Sequence, residues 1–415
     1  MSLWTIAWAY LWNRKFTTGL TILSVALSVG LISAVLTLRD ETRQRFEEEQ
    51  QAYDVVVGPS GSPLQLVLNS VYFLDQAIGA LPYSKFERIK NYGDPVVNAY
   101  PIGLGDIYRT FRIVGTSREL FDYPWENAAT GVKRYPFQLR EGRYFEKSME
   151  AVVGYRAAMG TGLKLGDTFE GRHGSMQMTP GMDEYDHGDT PYTVVGILKP
   201  SGTSNDRAIF VDLQSVWDTH AHKDDDGEEH KDEGLTISAI LVDIYSPAEA
   251  FSWQAEISKE LGVTATRPVQ EILNLYRDVL EPAVMVLKGI GYIVVVISAI
   301  SILIGLYLSI IQRRRDLAIM RALGASAVEI FGAVIIEAFL VTLMGIAAGW
   351  VLGKGAAMGL GMYTSAAYGF AITGLGTGLE ELQFFAIVGF VGLLAGILPA
   401  WQAYQTDVAR DLAAN

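Results

Sequence analysis

Residues 310–326 read IIQRRRDLAIMRALGAS, a short basic segment with long apolar runs on both sides. A helix needs about 20 mostly apolar residues to cross a membrane, and 50% of this 415-residue chain is hydrophobic. The quoted segment therefore predicts a tight turn between two membrane helices. Outward from it, four apolar segments are long enough to span a bilayer: 16–38, 289–311, 328–352 and 382–404.

The basic residues beside these segments predict their orientation, because lysine and arginine collect on the cytoplasmic side of a membrane. Arg14 and Lys15 precede the first span, three arginines occupy 313–315, and Arg410 follows the fourth span. All of them lie on one side if both termini are cytoplasmic. The resulting layout has a cytoplasmic helix and turn at 312–327, an external loop at 353–381 and a cytoplasmic tail at 405–415.

Two further segments, 1–15 and 39–288, lie outside the predicted spans. Residues 1–15 are amphipathic, with Trp4, Trp8, Leu11 and Trp12 on one side, and predict a helix in the membrane interface. Segment 39–288 begins and ends with helix-forming stretches, and strand and helix patterns alternate between them. We therefore predict an α+β extracytoplasmic domain carried on a helical stalk.

The charge of the chain argues against one class of partner. The formal net charge is −13, and most acidic residues fall in segment 39–288. An acidic exterior disfavours nucleic acid, whose phosphates need basic contacts. The chain has no cysteine, so disulfides do not stabilise the extracytoplasmic domain.

Within the turn, residues 316–323 have the pattern of a compact helix. Leu317, Met320 and Leu323 are predicted to share a face, and Gly324 suits a left-handed C-cap. Ser326 and Glu329 have the spacing of a capping box for the next span. A helical hairpin alone does not explain why Leu317 and Met320 should face the cytoplasm, whereas a groove on a cytoplasmic partner does.

The motif RRRDLAIMRALGAS resembles the coupling helix of mechanotransmission ABC transporter permeases, the MacB/LolC/LolE/FtsX-like family. LREGRYF, AVVGYRAAMGTGLKLGDTF, YTVVGILKPSGT and AIFVDLQSVW are similar to that family's external domain, in the same order. LPAWQAYQTDVARDL is similar to its C-terminal end. The resemblance implies an ATPase-coupling site at Arg313, Arg315, Asp316, Leu317, Ala318, Met320, Arg321, Ala322, Leu323 and Gly324. Asp316 departs from the family pattern, in which a glutamate is commoner at this position.

The resemblance also implies a function and partners. A non-catalytic permease subunit of the bacterial inner membrane would pair with a second permease copy, identical or different, and with a cytoplasmic ATPase dimer. No phosphate-binding loop is found in the sequence, because GWVLGKG at 349–355 lacks one spacer and the hydroxyl residue after the lysine. ATP is therefore expected in a separate subunit. The implied cargo is a lipoprotein, a lipid or a small amphiphile, exported or extracted from the membrane.

Two alternatives to transport remain open. An FtsX-like protein would instead regulate an external cell-wall hydrolase through a periplasmic partner. The second alternative is zinc-linked transport or sensing, because His220, His222 and His230 lie in an acidic loop and imidazoles are common zinc ligands. A second loop would favour copper(I), through His173, Met176, Met178, Met182 and His187. The alternative for both loops is an acidic insertion on a solvated surface that binds no metal.

Two further features have competing interpretations. Glu337 lies near the middle of the third span, where a carboxylate is costly and suggests a function; the alternative is a neutral, hydrogen-bonded carboxyl at a subunit interface. Residues 54–73 begin with turn formers and continue as an apolar run. They predict either a surface loop that meets a partner or lipid, or a buried helix.

Overall fold

The computed structural model describes residues 3–13, 15–49, 53–74, 77–122, 124–126, 133–173, 191–220, 235–368 and 373–405. The chain divides into two compact units. The helical unit comprises 1–43, 280–363 and 372–415, and the α+β unit comprises 44–279 and 364–371.

The helices of both units are, in chain order, α1 Leu3–Asn13, α2 Lys15–Glu49, α3 Pro63–Ser70, α4 Tyr83–Lys90, α5 Tyr155–Thr161, α6 Leu213–His220, α7 Pro247–Leu261, α8 Pro268–Leu275, α9 Glu281–Gln312, α10 Arg314–Ala322, α11 Ala327–Tyr368 and α12 Leu379–Tyr404. A π-helical turn, Tyr276–Leu280, joins α8 to α9. Short 3₁₀ helices occur at Arg118–Asp122 and Ser204–Arg207.

Four helices are long and apolar enough to cross a membrane, as expected from the sequence. They lie within Lys15–Arg43, Pro268–Gln312, Ala327–Thr364 and Leu379–Tyr404. One predicted boundary is wrong, because α11 continues to Tyr368 and segment 353–381 is therefore only partly a loop.

Glycines allow α2 and α11 to approach closely. A Cβ atom added at Gly349 would lie 2.7 Å from the carbonyl oxygen of Ala26, and one at Gly353 would lie 2.6 Å from that of Gly30. Small residues on one helix face permit such backbone contact, which is a common way of packing membrane helices. Gly349 and Gly353 therefore allow α11 to pack closely against α2.

The α+β unit contains a large mixed sheet. Its strand order is β15-β1-β14-β3-β4-β12-β8-β11-β7, with β10 beside β3 and β9 beside β11. The pairs β4–β12 and β8–β11 are parallel. The strands are β1 Val55–Gly58, β2 Leu81–Pro82, β3 Val96–Tyr108, β4 Phe111–Thr116, β5 Trp125–Glu126, β6 Lys133–Arg134, β7 Leu139–Gly142, β8 Glu150–Val153, β9 Thr168–Phe169, β10 Arg172–His173, β11 Tyr192–Leu198, β12 Ala208–Asp212, β13 Thr236–Ile237, β14 Ala239–Ile244 and β15 Thr264–Thr266.

Both faces of the sheet are buried. Val55 and Val57 of β1 pack into a cluster with Trp253 of α7, whereas Val56 packs into a cluster on the other face with Leu66 of α3. A strand covered on both faces has a continuous apolar sequence, which accounts for the run DVVVG. Leu66 and Val67 are 0% exposed, so residues 63–70 form the buried helix rather than the surface loop.

The candidate metal loops lie mainly outside the described residues. His222 and His230 belong to segment 221–234, and the Met and His residues beyond His173 belong to 174–190. His220 ends α6. Across the described ranges, no group of three or more His, Cys, Asp or Glu side chains is placed to hold a metal ion. Zinc binding stays a prediction.

Asp54, at the start of β1, generates a prediction about pH and stability. Its carboxylate accepts a hydrogen bond from the Ile244 N–H at 2.8 Å, and burial together with nearby Asp243 raises its pKa to about 6. An unfolded aspartate has a pKa of about 3.9, so the folded state binds the proton more tightly. The α+β unit should therefore lose stability as pH rises from about 4 to 6, by roughly 1–2 kcal/mol after solvent screening.

Asp54→Asn keeps the acceptor for Ile244 and cannot ionise. Its stability should vary less between pH 4 and 6 than that of the wild type, and should exceed it at pH 7. Hydrogen exchange of β14 amides in the full chain, corrected for intrinsic rates, measures both effects. Equal pH dependence in the two proteins would show that Asp54 is not the responsible group.

Candidate functional site: the two ends of the helical unit

The first candidate site is the hairpin formed by α9, α10 and α11. Arg313 is the single residue between α9 and α10, and its φ and ψ of −106° and 9° break the helix. Gly324 has a φ of 105° after α10, as its predicted C-cap role requires. Ser326 accepts from the Glu329 N–H at 3.2 Å and its own N–H donates to the Glu329 carboxylate at 2.7 Å, which confirms the capping box.

The helix α10 has two stripes of different exposure. Leu317 and Ala318 are buried, and Leu317 packs with Ile310, Ile330 and apolar residues of α12. On the outer side, Ile319 is 42% exposed and Leu323 is 84% exposed, next to exposed Arg314, Arg315 and Asp316. We call Arg314, Arg315, Asp316, Ile319 and Leu323 the exposed stripe.

The structure buries Leu317, in contrast to the expectation that Leu317 and Met320 supply the apolar surface of the turn. Leu317 and Leu323 are six positions apart, and at 3.6 residues per turn they point about 120° from each other. Met320 is half-buried. The large exposed apolar residues are Ile319 of α10 and Leu323 at its C-cap, which are four positions apart.

A buried ion pair involves Arg313, the residue that directly precedes α10. An Nη atom of Arg313 donates to the Glu337 carboxylate at 2.8 Å, and the two side chains are 10% and 6% exposed. The Arg313 Nε donates to the carbonyl of Ser309 at 3.2 Å, and its guanidinium also donates to the Ser309 hydroxyl. The carboxylate predicted to be costly inside a span therefore has a cationic partner in the same chain, and its place at a subunit interface stays a prediction.

The helix α1 contacts the same ion pair. The Arg313 guanidinium lies 4.0 Å from the centre of the Tyr10 ring, which is the geometry of a cation–π contact. The Tyr10 hydroxyl donates to the Met320 sulfur at 3.7 Å. Residues of α1, α9 and α11 thus converge on one guanidinium, and Tyr10 also contacts α10 through Met320.

The second candidate site is an ion network at the opposite end of the helical unit. The Lys354 ammonium donates to the Glu381 carboxylate at 3.0 Å and to the Thr37 hydroxyl at 2.6 Å. It also donates to the Gly376 carbonyl, and the Ser33 hydroxyl donates to Glu381. The Lys354 side chain is 7% exposed and that of Glu381 is 1% exposed.

Further charges extend this network across the helices. Glu41 of α2 accepts hydrogen bonds from the backbone N–H groups of Thr373, at 2.5 Å, Gly374 and Gly376. Glu380 pairs with Arg39 at 2.9 Å and with Lys288 of α9 at 2.6 Å. The network therefore links α2, α9, α11, α12 and the segment before α12.

The sequence analysis missed this second network. Lys354 was noted only as part of an imperfect phosphate-loop pattern, and Glu41, Glu380 and Glu381 were not singled out. A signal was present, because a lysine in an apolar helical run needs a partner. The adjacent glutamates at the start of α12 offered one.

The family of the chain follows from its two halves. The family model described as the MacB-like periplasmic core domain matches residues 18–260, and the FtsX-like permease C-terminal model matches residues 288–408. The chain belongs to the MacB/FtsX-like ABC permeases. The resemblance predicted from the coupling motif is confirmed.

Several curated relatives match nearly the whole chain at low identity. The pyoverdine export ATP-binding/permease protein PvdT of Pseudomonas savastanoi pv. phaseolicola is 21% identical over 98% of this chain and 58% of its own length. The uncharacterized ABC transporter permease protein Rv0987 of Mycobacterium tuberculosis is 23% identical over 99% of this chain and 45% of its own length. The chain thus spans about half the length of these relatives.

Two further similarities are more limited. The macrolide export ATP-binding/permease protein MacB of Salmonella typhi is 25% identical over 54% of this chain and 34% of its own length. The crystal structure of the periplasmic region of MacB from Actinobacillus actinomycetemcomitans covers 56% of this chain and 98% of that chain, at 11% identity and a TM-score of 0.34. That TM-score is too low to carry an argument about the fold.

Family membership identifies the α+β unit and the cellular membrane of this MacB/FtsX-like permease. The α+β unit is the periplasmic core domain, and the four apolar helices make this a multi-pass protein of the inner membrane. The permease part of such systems binds no cofactor of its own, and ATP belongs to the ABC ATPase that works with it.

The buried network around Lys354 and Glu381 generates a stability prediction. Lys354→Met leaves the Glu381 carboxylate buried without its cation, which should cost about 3–5 kcal/mol. The double variant K354M/E381M removes both charges and should recover much of that loss. Lys288→Met is the matched control, because Lys288 is 28% exposed and its partner Glu380 is 50% exposed, so it should cost about 1 kcal/mol or less.

Thermal unfolding of the full chain in detergent micelles gives the comparison. The expected order of melting temperatures is wild type, then K288M, then the double variant, then K354M. Equal melting temperatures for K354M and K288M would mean that the Lys354 pair does not stabilise the helical unit.

Proposed function

We propose that this permease transmits ATP-driven movement of a cytoplasmic ATPase to the periplasmic core domain. The observation that carries the proposal is the exposed stripe of α10, which joins exposed apolar side chains to arginines on a short, capped helix. A surface of this kind suits a partner groove with an apolar floor and acidic rim.

The order of the elements supports a cytoplasmic position for α10. The periplasmic core domain lies between the first and second spans, so the turn between the second and third spans lies on the other side if each helix crosses once. The arginines of the turn agree with this assignment, because basic residues collect on the cytoplasmic side. Both chain ends would then also be cytoplasmic.

The same helices provide a route for movement to the periplasm. The helix α2 begins at Lys15 in the helical unit and ends at Glu49 in the α+β unit, and α8 leads through the π-helical turn into α9. Continuous helices are stiff, so a displacement at one end moves the other. We propose that the docked ATPase moves α10, and that α2 and α9 pass this movement outward.

The proposed direction of transport is export. Two relatives carry export in their names, one for pyoverdine and one for macrolides. We propose a lipid, lipoprotein or small amphiphile as cargo, handled by a pair of permease copies with two ATPase subunits. Substrate-stimulated ATP hydrolysis in proteoliposomes would support transport, whereas binding and activation of a periplasmic hydrolase would support the regulatory alternative.

The docking proposal predicts the effect of placing a charge in the exposed stripe. Leu323→Glu puts an acid where an apolar side chain should meet the ATPase groove. Recovery of the ATPase with the affinity-tagged full chain from native membranes should fall by roughly tenfold or more, the effect of losing an interface residue that contributes about 1.4 kcal/mol or more. Ile319→Glu should act in the same direction.

Leu379→Glu is the matched control. Leu379 is 73% exposed at the opposite end of the helical unit, and an acid in the first turn of α12 is compatible with its helix dipole. ATPase recovery with this variant should equal that of the wild type. Normal recovery with Leu323→Glu and Ile319→Glu would refute docking through this stripe.

A further inference from the structure

We infer that α1 is a moving part of the coupling apparatus, held to α10 by three positioning residues, Tyr10, Arg313 and Glu337. This inference rests on the proposed function, since it assumes that an ATPase moves α10. It adds an element that lies outside the coupling motif and far from it in sequence.

The position of Arg313 makes it suited to a hinge. It is the residue that separates α9 from α10, and its backbone lies in the sparsely populated bridge region between the helical and extended conformations. A rotation of α10 relative to α9 therefore changes the torsion angles of Arg313. Its side chain cannot stay in place during such a rotation unless its partners move with it.

The contacts of Arg313 fix the orientation of its guanidinium. A planar guanidinium offers N–H groups at its edge and a flat face for stacking, and these two surfaces are used separately. The edge donates to Glu337 and Ser309, and the face lies against the Tyr10 ring. A purely apolar contact would let the helices slide past each other. The contacts of Arg313 instead hold α1 and α11 at fixed angles to this residue.

The surroundings of Glu337 leave space for a small movement. One cavity is lined by Glu337, Leu11, Thr17 and Ser309, and a second by Glu337, Tyr10, Leu317 and Met320. Each has room for about one water molecule. Two small cavities therefore border the Glu337 carboxylate, one on the α1–α9 side and one on the α10 side.

The other face of α1 limits this movement to the plane of the membrane surface. Trp4, Trp8 and Trp12 are 54%, 52% and 63% exposed and are spaced four residues apart. Tryptophan prefers the boundary between lipid headgroups and acyl chains. The helix α1 thus presents an interfacial row of tryptophans outward and holds Arg313 on its inner side, so movement of α10 must be matched by movement of α1 along the membrane surface.

Hydrogen exchange of the full chain, purified from native membranes with its ATPase, tests the inference. Addition of ATP and vanadate should change amide exchange in α10 and in α1 of the wild type. Tyr10→Ala removes the ring from Arg313, so the response in α10 should remain while the response in α1 disappears. Tyr10→Phe keeps the ring and should keep both responses.

A second measurement needs no nucleotide. Glu337→Gln removes the charge that Arg313 contacts, so α10 amides should exchange roughly ten times faster than in the wild type, the effect of losing one charge-assisted hydrogen bond. Tyr363→Ala is the control, because Tyr363 is a 67% exposed residue near the other end of α11. The double variant R313M/E337M removes both buried charges and should fold while showing the same loss of the α1 response.

The possible results separate the inference from the proposed function. An α1 response of wild-type size in Tyr10→Ala or in R313M/E337M would overturn the inference and leave ATPase docking intact. If no ATPase accompanies the wild-type chain, the proposed function fails, and the nucleotide-free exchange still decides whether the ion pair holds α10. Unchanged α10 exchange in Glu337→Gln would overturn the inference in that case as well.

Discussion

The buried ion pair between Arg313 and Glu337 constrains the end of the helical unit that carries α10. A carboxylate in a membrane span is costly unless it is paired, and removing one partner of a buried pair costs about 3–5 kcal/mol. The position of Glu337 on α11 therefore fixes where Arg313 lies. Because Arg313 is the only residue between α9 and α10, this single contact also fixes where α10 begins.

The helical unit uses the same kind of contact at both ends. Arg313 and Glu337 lie at one end, and Lys354 and Glu381 lie at the other, each pair more than 85% buried. Between them the helices pack through apolar side chains and close glycine contacts such as that at Gly349. Close-packed interiors transmit strain rather than absorbing it, so a bundle fixed at both ends is suited to moving as one body.

Local features of this architecture could be predicted from the sequence, whereas partners distant in sequence could not. The spans, the capping box at Ser326 and the C-cap at Gly324 depend on neighbouring residues, and the structure agrees with them. The partners of Lys354 come from α2, α12 and the segment before α12, and no spacing rule brings them together. The error over Leu317 had a different origin, because residues 317 and 323 were assigned to one face although helical geometry separates them.

In the function proposed above, the two stripes of α10 separate docking from transmission. Ile319 and Leu323 of the exposed stripe belong to none of the buried clusters found among the described residues, so a change in their side chains should cost little stability. The buried stripe is constrained by Arg313 and by the packing of Leu317, and a change there affects α1 and α11 whatever partner is bound. Under the proposal, a short helix with one exposed and one constrained side fits its partner on one side and passes movement to its own chain on the other.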